Sequence, residues 1–140
     1  MTKIVSTSTA KIVARSLPLM EERRDALEAA MRRYMGRSGP YDPSKGRHEL
    51  TTRTLFDMLF DHARGIDPAG GIAATGQHGE RHRQLAIGGE HYSSFGDGLM
   101  PIMKDVLGAE AAPPLLSAWG DAYWAIITRH VAAQPAAMAA

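Results

Sequence analysis

Cysteine is absent from this chain of 140 residues. The absence excludes disulfides, thiolate zinc sites, iron–sulfur clusters and cysteine nucleophiles. A net charge of only +1 gives no basic surface for nucleic acid. No apolar run approaches the roughly 18–20 residues that span a membrane, and the N-terminal segment lacks the apolar core of a signal peptide. We therefore expect a cytoplasmic protein with neither nucleic acid nor a membrane as its partner.

The composition that is present suits one soluble helical domain. Hydrophobic residues make up 44% and charged residues 22% of the chain, which is ordinary for a globular protein with a real core. The β-branched residues are scattered and never alternate as they would in a strand. We expect an all-α domain over residues 1–140, monomeric or homodimeric, whose alanine-rich tail at 132–140 frays.

Apolar spacing and helix breakers predict six or seven helices. Serines and threonines at 6–9 offer N-caps for a first helix at about 10–16. Pro18 fits the first turn of a second helix, at about 19–35. Further helices are expected at about 48–64, at 72–84, between Gly89 and Gly108, and from Pro113 onwards. Because glycine costs a helix roughly 1 kcal/mol, the glycines at 76 and 79 indicate that the 72–84 helix is held by another constraint, such as a metal bond.

The chain has six histidines, and a lone histidine is usually a surface or satisfied core residue. His78 and His82 are four residues apart and share a helix face, as zinc ligands do. They lack the glutamate that follows the first histidine of the zinc-protease motif, and no third ligand is apparent. Haem iron needs only one protein imidazole, usually oriented by a partner on its other nitrogen. Apolar helices suit a plain core as well as a haem pocket, so composition leaves both open.

The order of residues around His82 is more informative. Residues 81–92, RHRQLAIGGEHY, resemble the proximal segment of bacterial single-domain haemoglobins and of the globin domain of flavohaemoglobins. In that family a basic residue and the proximal histidine precede an isoleucine, a helix break and a tyrosine. The continuations FGDGL at 95–99 and AWGDAY at 118–123 fit as well. The resemblance is strong over 82–123, moderate over 54–65 and weak at 12–20, and it implies a globin fold whose helices enclose haem b.

The resemblance implies a proximal side built around one iron ligand. His82 would be that ligand, and Tyr92 would hydrogen-bond to it and support the chemistry at the iron. Arg81 would reach a haem propionate. The proximal wall would be formed by apolar and aromatic side chains, namely Ile87, Phe95, Leu99 and Tyr123.

On the distal side, alignment of the loop and the next helix assigns fewer residues. Tyr41 takes the place of a phenylalanine that packs on the haem in the family. Thr51 takes the place of the family's distal glutamine, with Leu50 as its neighbour if the register shifts. Leu55 would face the ring. We therefore expect these four side chains to contact the cofactor.

Three departures from the family pattern bear on ligand binding. The distal tyrosine of the family aligns with Arg32, and a two-residue insertion would instead place Tyr34 there. The proximal glutamate that partners the tyrosine falls at Gln134, a neutral amide that would make the imidazole less electron-donating. The loop before Tyr41 is also shorter than usual. His48 is a further distal candidate, although its position beside a loop favours solvent exposure.

Three functions follow from the resemblance as alternatives. The first is reversible binding of oxygen or another diatomic gas, for storage, delivery or sensing. The second is a haem enzyme, a nitric oxide dioxygenase or a peroxidase-like activity. Flavohaemoglobins perform the former with an attached reductase domain, for which 140 residues leave no room, so a separate reductase would be needed. The third is a haem-free globin-like interaction domain.

Overall fold

The computed structural model describes residues 5–38, 48–71, 82 and 87–132, and these residues form five α-helices and one short 3₁₀ helix. The α-helices are α1 (Thr7–Glu22), α2 (Arg24–Ser38), α3 (His48–Arg64), α4 (Gly89–Leu107) and α5 (Pro113–Ala132). The 3₁₀ helix, Gly108–Glu110, joins α4 to α5. The expected all-α class is thereby confirmed, and the packed helices are consistent with a globin fold. The expected helix at 72–84 lies outside the described residues, apart from position 82.

The first helix is longer than the sequence predicted. Ser6 caps it as expected, since its Oγ accepts a hydrogen bond of 3.0 Å from the backbone N–H of Thr9. The break, however, comes at Arg23, and Pro18 lies inside α1 instead of starting a new helix. Burial explains the error: α1 buries Val13 and Met20 on either side of Pro18, so packing outweighs the lost hydrogen bond.

The later helices begin and end where the sequence predicted. Gly88 precedes α4 and Pro113 opens α5. Gly108 ends α4 with a φ of 57°, a left-handed conformation that favours glycine. None of the described helices is long and apolar enough to cross a membrane.

Polar contacts fix how the helices pack. Arg24 of α2 donates from Nε to Glu28 (2.6 Å) and from Nη2 to Asp57 of α3 (2.5 Å), and its guanidinium lies 5.3 Å from the Phe60 ring centroid. Burial lowers the pKa of Arg24, but these two carboxylates outweigh it, so its pKa lies above the usual value. The contacts join α2 to α3 along one side of the helix pair.

A second buried contact joins the two ends of the chain. Trp119 of α5 donates from Nε1 to Ser16 Oγ of α1 at 2.8 Å, and Ser16 in turn donates to the Ile12 carbonyl at 2.7 Å. Both side chains are buried. With α1 held on α5 and α2 packed on α3 and α4, one face of α4 is turned towards the interior.

Candidate functional site

His82 and Tyr92 form a buried pair at the start of α4. The Nδ1 of His82 lies 2.7 Å from the Tyr92 hydroxyl, and the two side chains are only 1% and 7% exposed. The Nε2 of His82 is also buried. The pairing matches the expected histidine and its supporting tyrosine, which are ten residues apart in the sequence. Because Nδ1 is engaged by the hydroxyl, Nε2 is the ring nitrogen that can bind a metal.

Local backbone contacts hold this pair in place. Ile87 is buried, and its N–H donates to the His82 carbonyl at 2.9 Å. His91 closes the first turn of α4, because its Nδ1 accepts a hydrogen bond of 3.0 Å from the Gly88 N–H. The glycine break and the helix start therefore set Tyr92 at a fixed distance from His82.

Tyr123 of α5 supports the same pair from behind. Its hydroxyl donates to the Tyr92 backbone carbonyl at 2.7 Å, and its ring stacks on Phe95 with centroids 5.0 Å apart. Burial raises the pKa of Tyr123 well above its ordinary value, and interactions with Tyr92 and Asp97 add to the shift. Phe95, Leu99 and Tyr123 are fully buried. The structure thus brings together His82, Tyr92 and the side chains predicted to line this side.

The predicted distal residues of α3 divide between interior and surface. Thr51 and Leu55 are buried, whereas Leu50 is 45% exposed. The side chain of α3 with a defined ring contact to α4 is Phe56, which meets Phe95 edge to face with centroids 4.9 Å apart. The predicted cofactor contacts of Leu50, Thr51 and Leu55 stay predictions.

The two distal candidates on α2 do not share the most buried face of that helix. Arg32 and Tyr34 are half-buried, while their neighbour Met31 is fully buried. The Tyr34 ring lies against Gly98 of α4, so close that a Cβ on Gly98 would be 2.5 Å from it. Tyr34 is therefore a packing residue of the α2–α4 contact in this structure.

Several predicted residues lie outside what the structure describes. These are Arg81, Tyr41 and Gln134, together with the side chain of His48 at the start of α3. His78, the partner in the zinc alternative, lies outside as well. Within the described ranges no three histidine, aspartate or glutamate side chains gather as metal ligands. The roles of these residues stay predictions.

A surface cleft of about 390 Å³ opens between the start of α1 and α5. It is lined by seven residues near the start of α1 and along α5, namely Val5, Ser6, Thr9, Asp121, Trp124, Ala125 and Thr128. None of them is a predicted site residue. The cleft is thus separate from the His82–Tyr92 pair.

Comparison with known proteins gives one consistent result. No protein-family model matches the chain. A flavohemoprotein of Bacillus subtilis (strain 168) is 26% identical over 129 residues, which are 88% of this chain and 32% of that protein. Flavohemoproteins of Xylella fastidiosa (strain Temecula1) and Bacillus cereus (strain ATCC 14579) are 27% and 29% identical over 126 and 132 residues. The chain spans about a third of the length of the curated relatives it matches. The resemblance of this chain to the globin part of the flavohaemoglobin family is thereby confirmed.

Proposed function

We propose that this chain is a haem-binding globin domain that reversibly binds a diatomic gas, oxygen or nitric oxide, at an iron held by His82. The observation that carries the proposal is the buried His82–Tyr92 pair, with 2.7 Å between Nδ1 and the hydroxyl. The similarity to flavohemoproteins supports it independently. The buried aromatic and aliphatic side chains of α4 and α5 supply an apolar setting for a porphyrin.

The donor set fits haem b. A neutral imidazole that carries its proton on Nδ1 would present an unprotonated Nε2 to iron, and in that tautomer the Tyr92 hydroxyl, 2.7 Å from Nδ1, would accept the Nδ1–H. Haem needs one such protein ligand, so the fit does not depend on a cluster of metal-binding side chains. Residue 82 would hold the iron, while Ile87, Phe95, Leu99 and Tyr123 would surround the ring.

The residues around His82 have distinct tasks in this proposal. When bound, haem supplies a ferrous iron that takes up a gas molecule reversibly. Tyr92 fixes the ring orientation of His82 and makes the imidazole a stronger electron donor. Tyr123 fixes the backbone that carries Tyr92, and the buried apolar side chains exclude water, which slows oxidation of the iron.

The test is a titration of the purified chain with haemin, followed by absorption spectra of the ferric, ferrous and carbonyl forms. We expect stoichiometric binding and, in the carbonyl form, the absorption spectrum of a histidine-ligated haem. His82→Ala should lose most of the haem affinity, or keep the haem with a coordination site open to added imidazole. A matched control is His62→Ala, which removes a different buried histidine. Unchanged spectra in His82→Ala would overturn the proposal.

A further inference from the structure

The surface cleft has one wall on α5 and the other at the start of α1. The α5 wall is one face of that helix, because its residues follow each other at helical spacing, namely Asp121, Trp124, Ala125 and Thr128. The facing wall lies around Ser6, the N-cap of α1. With about 390 Å³, the cleft is large enough for a small organic molecule.

The aromatic wall of the cleft is held in position by its neighbours. The six-membered ring of Trp124 lies against Gly96 of α4, so closely that a Cβ on Gly96 would be 2.3 Å from it. The side chain also meets the Tyr123 ring edge to face, with centroids 5.2 Å apart. Trp124 nevertheless stays 42% exposed. An exposed indole that is already held in place offers a ligand a large contact surface at little cost in side-chain entropy.

The polar groups of the cleft are mainly hydrogen-bond acceptors. Among the described residues that line it, Asp121 carries the only charge, and no basic side chain in the described part of the chain is paired with it. Ser6 donates its hydroxyl proton to Thr9 Oγ1 at 3.0 Å, and Thr128 donates its own to the Trp124 carbonyl at 2.8 Å. With these protons engaged, the Ser6 and Thr128 oxygens can meet a ligand only as acceptors. The cleft therefore favours a ligand with positive charge and hydrogen-bond donors.

We propose that this cleft binds a small organic ammonium ion, whose charged nitrogen contacts both the Trp124 ring and the Asp121 carboxylate. An aromatic face attracts a cation through its quadrupole, and tryptophan does so most strongly. A metal ion suits the cleft less well, since calcium takes roughly six to eight oxygen ligands and an indole supplies none. The proposal goes beyond the proposed function and is independent of it, because it needs neither haem nor His82.

The experiment titrates the full chain with choline and with dimethylbutanol, the uncharged isostere in which a carbon atom replaces the nitrogen of choline. Choline chloride replaces sodium chloride, so that the ionic strength stays constant. The chain has two tryptophans, and their indole N–H signals in a nitrogen–hydrogen correlation spectrum report separately on Trp124 and on the buried Trp119. Trp124→Phe assigns the two signals. A protein that carries haem is measured as its diamagnetic ferrous carbonyl form.

We expect choline to shift the Trp124 signal and to leave the Trp119 signal in place. Because the contacts are partly exposed, the dissociation constant should be about millimolar. Dimethylbutanol should bind at least about fivefold more weakly, the effect of losing one exposed charge contact.

Two variants separate the charge from the ring. Asp121→Asn should weaken choline binding about fivefold and leave dimethylbutanol binding unchanged, since only the ion pair is lost. Gly96→Ala keeps both binding groups but displaces the Trp124 ring, and it should weaken choline binding by a similar factor, about fivefold. The matched control is Asp97→Asn, which removes an exposed carboxylate from α4 outside the cleft and should change the affinity less than about twofold. Far-UV circular dichroism verifies the fold of each variant.

A shift of the Trp124 signal that is selective for choline, and that weakens in both Asp121→Asn and Gly96→Ala, would support the proposal. Equal affinities for choline and dimethylbutanol would overturn it, because binding would then owe nothing to charge. A loss in Asp97→Asn as large as that in Asp121→Asn would also overturn it, since it would indicate a general attraction to acidic surface. So would a Trp124 signal that stays in place up to about 100 mM choline, far above the expected dissociation constant.

Discussion

At the residue scale, we expect the hydrogen bond between Tyr92 and His82 to change how strongly the proposed iron ligand donates electrons. Tyr92→Phe removes the acceptor for the Nδ1–H, so the imidazole donates less electron density and the ferric state is stabilised less. A loss of about 1 kcal/mol corresponds to a rise of about 40 mV in the ferric–ferrous potential. Spectroelectrochemistry of the two proteins measures this shift. An equal potential in both would show that the hydroxyl does not act on the iron.

Tyr123 predicts a dependence of stability on high pH. Its pKa in the folded protein is raised, chiefly by burial, so above about pH 10 the unfolded chain releases a proton that the folded chain retains. The stabilisation from Tyr123 is therefore complete below pH 10 and decreases as pH rises beyond it. Tyr123→Phe lacks this titration and also loses the hydrogen bond to Tyr92, about 1–3 kcal/mol at neutral pH.

Urea unfolding of the haem-free forms at pH 7 to 11 tests this prediction. The gap in unfolding free energy between wild type and Tyr123→Phe should narrow only above pH 10. A gap that stays constant across the range would mean that Tyr123 ionises as readily in the folded as in the unfolded protein.

The two sides of the site differed in how far single residues could be predicted. The proximal pair was predictable because His82 and Tyr92 are close in sequence, with a glycine break that fixes their separation. The residues of α2 and α3 that would face the cofactor were harder to assign, since a shift of one residue turns a helical side chain by about 100° and no local motif sets the register. Only contacts between helices, such as that of Phe56 with Phe95, determine it.

At the element scale, two glycines give a matched test of how α2 packs on α4. Gly98 lies under the Tyr34 ring, so Gly98→Ala forces the ring to move and should lower the unfolding free energy by about 1–3 kcal/mol. Gly36, inside α2, has no atom within 4 Å of an added Cβ. Gly36→Ala should raise stability by up to about 1 kcal/mol through helix propensity. Thermal or urea unfolding measures the stability of both variants. A Gly98→Ala variant as stable as the wild type would refute this packing.

Helix ends were predicted well where a local signal stops the helix and poorly where packing decides. Gly108, with its positive φ, and Pro113 mark real boundaries. Pro18 does not, because α1 continues through it to Glu22. The contact that stabilises this part of α1 is between Ser16 and Trp119, 103 residues apart, and such a contact is invisible to local propensity.

At the scale of the whole molecule, the proposed gas-binding function leads to a prediction about turnover. The chain matches about a third of each flavohemoprotein relative, and turnover by this globin-like part would require an electron donor. We expect that without a reductase the oxygen-bound form consumes at most one nitric oxide per haem. A nitric oxide electrode measures this. Sustained consumption of nitric oxide on adding a reductase and NADH would identify an enzyme. No consumption beyond one nitric oxide per haem would favour a gas-binding protein.

The most direct test of the account is the iron–histidine vibration of the ferrous, gas-free protein in resonance Raman spectra. We predict that the wild-type chain shows this band, that His82→Gly loses it, and that added imidazole restores it at a shifted frequency. A band that persists unchanged in His82→Gly would show that another residue holds the iron, and it would contradict the account.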